Sequence, residues 1–276
     1  MKKAFLLTVA LSMLFGCHNS NQNVTVTPEV VKTTDDFSFE TKELNAVKVI
    51  DEEDFFGAVD IMVNAPVTEN QALRDSICFW INECFGNKYE GDPRDLQAMI
   101  DFYKDQIFDE FTEMADGFNI EEIVYFVEAN LCYVTYGFST FCELDGAPRS
   151  SYEYHCVTFE QATGKRFSYK MLKPDETLEN LVMNGILEQY FEGFEPEELD
   201  EYLFFDREDG SGFHLPYKQP WSENDSIRFG YDGHDIADRG IGNPVCGLPY
   251  DIMAPYLTEE GKSFFFTENE LGKVGR

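Results

Sequence analysis

The side chains that carry most enzyme chemistry are scarce in this chain, which has four histidines: His18, His155, His214 and His234. The zinc motif H-E-x-x-H, the nucleophile turn G-x-S-x-G and the phosphate loop G-x-x-x-x-G-K-[ST] are all absent from the sequence. His155 precedes Cys156 in a predicted strand, where neighbouring side chains point to opposite faces, and this argues against a joint metal site. No catalytic constellation is recognisable, so we expect a protein that is not an enzyme.

Carboxylates are abundant, with 52 Asp and Glu against 21 Lys and Arg and a formal net charge of −31. A pair of carboxylates can hydrolyse a glycan, but with so many acids some pair falls at any separation. The segment 206–210 resembles the start of a calcium loop, yet it lacks the alternate-position acids. We predict no cofactor and no metal. A surface this acidic repels nucleic acid and attracts strongly basic proteins.

The aromatic content of 15% offers one further possibility. Tyr217, Trp221 and Tyr231 fall in a loop-rich region, where aromatic rings can form a platform for a sugar. The alternative is that these rings fill the core. The 43% of hydrophobic residues is ample for a sizeable core and excludes a disordered chain.

The first seventeen residues have the features of a bacterial lipoprotein signal. Lys2 and Lys3 precede an apolar run over 4–15, which is too short to span a membrane, and Gly16-Cys17 follows directly. We predict a signal peptide over 1–17, lipid attachment at Cys17 and a flexible tether over 18–36. The stretch after Cys17 has no acid, which favours an anchored, periplasm-facing protein of the cell envelope, with surface exposure left open. The membrane is then contacted through the lipid anchor only.

Six further cysteines permit up to three disulfides in an oxidising compartment, and we expect at least one. None of their spacings is C-x-x-C, which disfavours a structural zinc site. The six are Cys78, Cys84, Cys132, Cys142, Cys156 and Cys246.

The pattern of elements predicts an α+β fold. Alternating apolar residues predict strands over 37–65 and 120–169, and helical spacing predicts helices after Thr68, Asp92 and Asp175. A short acidic helix over 196–205 and strands with loops over 211–257 complete the chain. We expect two mixed sub-domains with antiparallel sheets packed against helices, an N-terminal one over 37–145 and a C-terminal one over 146–276.

Three stretches resemble a known family. Residues 159–167 read FEQATGKRF, residues 229–237 read FGYDGHDIA, and residues 248–257 read LPYDIMAPYL. These resemble the extracytoplasmic domain shared by RsiV-type anti-sigma factors and PdaC-type peptidoglycan deacetylases, over roughly residues 37–260. The resemblance implies an α+β fold and, as in the anti-sigma members, binding of lysozyme, a small basic protein. We expect neither sigma regulation nor deacetylation to carry over, because this sequence shows no counterpart of the segments responsible in those proteins.

The second stretch departs from the family at His234, and Asp238-Arg239 also replaces the usual residues. We therefore predict a ligand-binding strip formed by Tyr231, Asp232, His234, Asp235, Asp238 and Arg239. The predicted function is a non-enzymatic binding lipoprotein for a basic protein such as lysozyme, or for a cell-wall component. The alternative is an envelope glycan or peptidoglycan hydrolase that uses a carboxylate pair. The oligomeric state stays open.

Overall fold

The computed structural model describes residues 29–32, 38–52, 55–147, 150–195, 199, 201–206 and 210–266. The predicted signal peptide with Cys17, most of the predicted tether and the centre of the 206–210 segment lie outside the described residues. Within the ranges just given, no helix combines the length and apolar character needed to cross a membrane.

Two sheets and five helices make up this part of the chain. The strands are β1 (Glu29–Lys32), β2 (Ser38–Glu52), β3 (Phe55–Val67), β4 (Phe118–Ala129), β5 (Tyr133–Leu144), β6 (Ser151–Glu160), β7 (Trp221–Glu223), β8 (Ser226–Gly230) and β9 (Val245–Pro249). The helices are α1 (Gln71–Cys84), α2 (Leu96–Met114), α3 (Glu176–Tyr190), α4 (Tyr250–Met253) and α5 (Glu259–Phe265), with 3₁₀ turns at Tyr169–Met171, Arg239–Ile241 and Ala254–Tyr256. The predicted α+β class is confirmed.

The larger sheet has the order β1-β2-β3-β4-β5-β6. Its pairs are antiparallel except for β3 and β4, which run parallel because α1 and α2 lie between them in the chain and return it to the same end. The expectation of purely antiparallel sheets is therefore wrong for this one pair. β1 lies inside the predicted tether and pairs with Ser38–Thr41 of β2.

Helices α1 and α2 cover one face of this sheet, as the alternation in β3 requires. Val59, Ile61 and Val63 are fully buried beneath the helices, while Asp60 between them is exposed on the other face. The apolar stripe of α2 buries Met99 and the residues at helical spacing from it. Both helices begin later than predicted, because Asn70 and Asp95, rather than Thr68 and Asp92, accept the first free backbone amides.

The smaller sheet has the order β7-β8-β9 and is antiparallel. It packs with α3, α4 and α5 around a second apolar core, in which Phe167, Leu178, Phe229 and Met253 are buried. Asp175 caps α3, as predicted, by accepting the amide of Leu178. Of the described residues of the predicted acidic helix, 199, 201 and 202 are helical, whereas 203–205 are not, and Leu203 forms a β-bridge with Ala237. The predicted boundary at 145/146 falls in the connection between β5 and β6, and the sheets divide after Glu160.

The turn at the end of β6, one of the family-like motifs, is a structural element. Gly164 has a positive φ of +73°, which favours glycine, and its amide donates to the carbonyl of Glu160 at 2.8 Å. The side-chain amide of Asn70 donates to the carbonyl of Gln161 at 2.6 Å, so the turn lies against the start of α1. A Cβ atom on Gly164 would lie 2.5 Å from the carbonyl oxygen of Ala72. The motif therefore fixes the large sheet to its helix layer.

We expect Gly164→Ala to destabilise the protein by about 3 kcal/mol or more, because it adds a backbone clash to the strain of a positive φ. Gly146→Ala is the matched control: Gly146 has φ +79° with nothing within 4 Å of the added Cβ, so it loses only about 1 to 2 kcal/mol. The free energies of unfolding follow from urea titrations. Equal losses in the two variants would show that the contact with Ala72 is unimportant.

Candidate functional site

The two halves meet through a carboxylate that a β-bulge turns toward the second half. The register of β4 with β5 shifts between Phe126, which lies opposite Tyr136, and Glu128, which lies opposite Thr135. Neighbouring strand residues face opposite sides, so the extra residue moves Glu128 from the helix-covered face to the other one. The sequence gives no sign of this bulge.

Glu128 then accepts hydrogen bonds from the second half and from its own sheet. Its two carboxylate oxygens accept from Tyr133 Oη at 3.0 Å, Ser222 Oγ at 3.3 Å and the amide of Asn224 at 2.9 Å. Tyr250 Oη donates to Tyr133 Oη at 2.8 Å. Tyr250 belongs to the family-like stretch 248–257, and its role here is to join α4 to β5.

A second set of buried hydrogen bonds lies beside the first. Thr135 Oγ1 lies 2.9 Å from Thr158 Oγ1 and donates to the carbonyl of Ser222 at 2.9 Å, and the amide of Ser222 donates to Thr158 Oγ1 at 2.7 Å. All three residues are fully buried. The small sheet is thus fixed over one end of the second face of the large sheet.

The predicted ligand-binding strip begins with residues that hold the structure together. Tyr231 is buried and donates to the carbonyl of His214 at 2.9 Å. Asp232 forms an ion pair with Lys218. Asp235 accepts the amide of Asp232 at 3.1 Å. These contacts give each of the three side chains a structural role.

The end of the strip is more exposed. His234 has a positive φ of 89° and packs edge-on against Phe204, with ring centroids 4.9 Å apart. Asp238 accepts the amide of Gly240 at 2.8 Å. Arg239 lies in a 3₁₀ turn, and its side chain lies outside the described part of the chain. Ligand binding by the strip stays a prediction.

The predicted aromatic platform does not form. Trp221 and Tyr231 are 3% and 2% exposed, whereas Tyr217 is 80% exposed and stacks on His214. Trp221 instead packs against Tyr154 and Cys156 between the sheets. Its role as core was the alternative that the sequence left open.

His155 and Cys84 lie side by side beneath the helix layer, with Nε2 3.8 Å from Sγ. Burial among Trp80, Phe138 and their neighbours, with a smaller contribution from the charge of Lys218, lowers the pKa of His155 to about 4. Burial raises the pKa of the Cys84 thiol well above its usual range. Both groups are therefore neutral near pH 7, which is unsuited to thiolate chemistry. Cys156 faces the other side of the sheet, as predicted.

The expected disulfide is not found among the cysteines whose state is defined. Cys78, Cys84, Cys142, Cys156 and Cys246 are free thiols. Spacing in the sequence does not report distance in space: Cys78 and Cys84 share one unbroken helix, and Cys156 packs on the opposite face of the sheet. Burial raises the pKa of Cys78 and Cys246 to about 11 and that of Cys156 to about 12. Within the described part of the chain, no three His, Cys, Asp or Glu residues are placed to hold a metal ion.

Among the carboxylates of the described residues, Glu122 has the pKa that departs most from its usual value. It is the next residue after Ile120 on the helix-covered face of β4, and burial of its side chain raises its pKa to about 7. Its Oε2 atom is buried without a hydrogen-bond partner among the described residues. A neutral buried acid is compatible with a structural role at low pH and is destabilising once ionised.

The second face of the large sheet is open beyond the small sheet. One cross-strand row on it runs through five strands from β2 to β6, in the order Val47, Asp60, Glu121, Phe141 and Tyr152. Val47 and Tyr152 are each 56% exposed. We call this row, with Glu43 and Val49 beside it on β2, the open face.

Three carboxylates repel one another on the open face. Asp60 lies directly opposite Glu121 in the parallel pair of strands. Partial burial, followed by the charges of Glu121 and Glu43, raises the pKa of Asp60. Within the described ranges, no lysine or arginine forms an ion pair with any of the three. Like charges opposite each other destabilise a sheet, so this arrangement reduces stability. Acids inside the apolar runs 58–63 and 120–124 were the sequence signal that could have revealed it.

Together, the fold and the open face define a class of protein. It is an α+β domain with two sheets, the larger of which has an open acidic face. Comparison with solved structures finds the same fold in two proteins of the DUF3298 family. One is from Bacteroides fragilis, with a TM-score of 0.66, 15% identity, and coverage of 86% of this chain and 97% of that one. The other is from Pseudomonas aeruginosa, with a TM-score of 0.59, 13% identity, and coverage of 84% and 99%.

No family model matches the sequence, and no curated protein is similar to it. At this level of identity the likeness to the two structures shows a shared fold. The predicted resemblance is thus confirmed at the level of a fold that DUF3298 family proteins also have. The narrower resemblance to RsiV-type or PdaC-type proteins stays a prediction.

The burial of Glu122 leads to a pH-dependent prediction. Its folded pKa lies above its unfolded value, so it contributes no penalty at low pH and an increasing one as the pH rises through about 7. We expect Glu122→Gln to stabilise the protein by about 1 to 3 kcal/mol more at pH 8 than at pH 5. Urea unfolding at the two pH values measures this.

Glu121→Gln is the matched control, because Glu121 is the exposed neighbour on the other face. Its effect should change by less than about 0.5 kcal/mol between the two pH values. A Glu122→Gln variant whose stability follows the wild type at both pH values would show that this carboxylate is not desolvated in the folded protein.

Proposed function

We propose that this protein is a non-enzymatic binding module of the cell envelope that captures a basic protein ligand such as lysozyme. The observation that carries the proposal is the cluster of Asp60, Glu121 and Glu43 on the open face. Its mutual repulsion is left uncompensated in the free protein. A cationic partner would relieve that repulsion on binding. The free energy that the repulsion costs the free protein would then contribute to the affinity for the partner.

The surroundings of the cluster suit a protein ligand better than a small ion. Val47, Val49 and Tyr152 are more than half exposed beside the acids. These apolar and aromatic side chains lie at the two ends of the row that contains the acids, so the open face offers apolar as well as ionic contacts, and protein interfaces combine the two. The net charge of −31 would steer a basic protein toward any part of this surface.

The resemblance to lysozyme-binding anti-sigma domains supports the same ligand class. It is independent of the acidic cluster, because the motifs that carry it lie in 159–167, 229–237 and 248–257, where Gly164, Tyr231 and Tyr250 have structural roles. Anchoring through a lipid on Cys17, with the domain facing the periplasm, completes the proposal. A cell-wall component is the other ligand that we consider.

The hydrolase alternative requires an accessible acid of raised pKa beside a second carboxylate. Glu122 has a raised pKa, but it lies on the helix-covered face of the sheet with one oxygen buried. Asp60 also has a raised pKa and lies opposite Glu121, but both side chains are exposed on the open face, where nothing excludes water from a bound glycan. We therefore favour binding over hydrolysis.

The test measures binding of the full chain, in detergent, to immobilised hen lysozyme at low and at moderate salt. We expect saturable binding that persists at about 0.15 M salt, where the screening length is about 8 Å. Cytochrome c, another basic protein, serves as the charge control. If lysozyme binding disappears at this salt concentration, or if cytochrome c binds equally well, the interaction depends on net charge alone.

The open face itself is tested by neutralising its three acids. We expect the triple variant Glu43→Gln, Asp60→Asn, Glu121→Gln to weaken lysozyme binding by about tenfold or more. The charge-matched control is Glu69→Gln, Glu90→Gln, Glu188→Gln, which removes three exposed acids elsewhere. Equal weakening in both triples would contradict a role for the open face. A third triple in the predicted strip, Asp232→Asn, Asp235→Asn, Asp238→Asn, compares the two surfaces directly.

A further inference from the structure

Strand β2 has an outer edge that is mostly unpaired by the strands that the structure describes. β3 pairs with one edge of β2 along Glu40–Glu52, whereas β1 pairs with the other edge only along Ser38–Thr41. From Lys42 to Glu52, no strand within the described ranges pairs with this outer edge. We call this segment the free edge. An edge of this length presents a row of backbone donors and acceptors to any extended chain.

The direction of the backbone groups along the free edge can be assigned. The carbonyl of Asn45 faces outward, because it accepts a hydrogen bond from the Gln97 side chain on α2 at 3.4 Å. Backbone groups alternate in direction along an antiparallel strand, so those of Val47, Val49 and Asp51 also face outward. The side chains of Val47 and Val49 are 56% and 54% exposed. The free edge therefore combines outward backbone groups with exposed apolar side chains.

The opposite edge of the same sheet, on β6, is protected by hydrogen bonds from other parts of the chain. The carbonyl of Tyr152 accepts from Asn243 Nδ2 at 3.3 Å, and that of Tyr154 accepts from Lys218 Nζ at 3.5 Å. The carbonyl of Thr158 accepts the amide of Phe167 at 2.8 Å. Proteins usually protect their sheet edges in such ways. The free edge of β2, in contrast, receives the Gln97 amide at Asn45.

Charge decides which extended chain the free edge fits. On the open-face side it is flanked by Glu43 and Asp51, with Asp60 on the neighbouring strand. On the helix side lie Asp101, Asp105 and Asp109 of α2, which share the two lysines Lys48 and Lys104. The aspartates on the helix side are thus largely neutralised by lysines, whereas the carboxylates on the open-face side form no ion pair among the described residues. A lysine- or arginine-bearing strand would therefore be attracted on the open-face side, whereas a second copy of this chain would bring further carboxylates to it.

We infer that the free edge of β2 binds an extended, basic segment of a partner protein by strand addition. The segment extends the sheet beyond β2, its backbone pairs with Val47, Val49 and Asp51, and its basic side chains lie near Glu43, Asp51 and Asp60. Main-chain pairing supplies affinity and alternate side chains supply specificity in this mode of recognition. The inference rests on the proposed function in that both name a basic partner, and it adds where and in what conformation that partner binds.

The probe is a synthetic peptide of about eight alternating lysine and threonine residues, the length of an ordinary strand. Its control alternates glutamate and threonine. We expect the full chain to bind the lysine peptide saturably, by calorimetry or fluorescence anisotropy, and not the glutamate peptide. Failure to bind the lysine peptide would overturn the inference.

Two variants test the free edge. Val47→Lys with Val49→Lys places positive charge on the edge, and Val47→Pro removes one outward amide without changing charge. We expect each to weaken peptide binding by about tenfold. The matched control is Val67→Lys with Ile252→Lys, which adds the same charge at two other exposed apolar residues and should leave binding within about twofold. If Val47→Pro fails to fold, the lysine pair alone decides.

Equal weakening by both lysine pairs would show that bulk charge, not the edge, binds the peptide, and would overturn the inference. A wild-type dimer in sedimentation that the Val47→Lys, Val49→Lys variant abolishes would assign the edge to a second copy and would also overturn it.

Lysozyme binding separates the two proposals. If lysozyme binds and the edge variant leaves it unchanged, the proposed function stands without the edge; if the lysine peptide binds and lysozyme does not, the edge stands without that ligand.

Discussion

The position of Glu128 determines how the two halves of this protein are joined. The bulge in β4 turns its carboxylate to the face of the large sheet that the helices do not cover, where it accepts hydrogen bonds from Tyr133, Ser222 and Asn224. A carboxylate that is withdrawn from water even in part is stabilised when its oxygens have such partners. The small sheet is therefore held over one end of this face, and the rest of the face stays open. The junction and the proposed binding surface thus lie on the same face of the large sheet.

That shared surface explains an otherwise unfavourable choice of residues. The helix-covered face contains fully buried Val59, Ile61 and Val63, the composition expected of a core. The open face alternates with it along the same strand, yet it places Asp60 opposite Glu121 and exposes Val47. A strand selected for stability alone would contain neither feature. The residues that reduce stability are the residues from which the proposed binding surface is built, as is common at functional sites.

Much of the fold follows from the sequence, because periodicity reports which side chains are buried. Alternation predicted the strands on either side of Glu52, and the apolar stripe predicted α2. Periodicity does not report which strands are neighbours, so the parallel pair of β3 and β4 and the bulge before Glu128 were not predictable. Residue type likewise does not report exposure: Trp221 suited a sugar platform in the sequence and lies between the sheets in the structure. Of the candidate site, the sequence revealed the acidic character, from which a basic partner is predicted, but not the face on which the acids of the candidate site lie.

The burial of the thiols has a consequence for the lifetime of the folded protein. Cys78, Cys84, Cys156 and Cys246 have pKa values raised by burial, so the reactive thiolate form is rare near neutral pH. Oxidation and disulfide exchange proceed through the thiolate, and they are correspondingly slow for these residues. The folded domain therefore keeps these four cysteines reduced by kinetics rather than by the redox potential around it. Unfolding would remove this protection, so an oxidising environment converts a transient loss of structure into a permanent one.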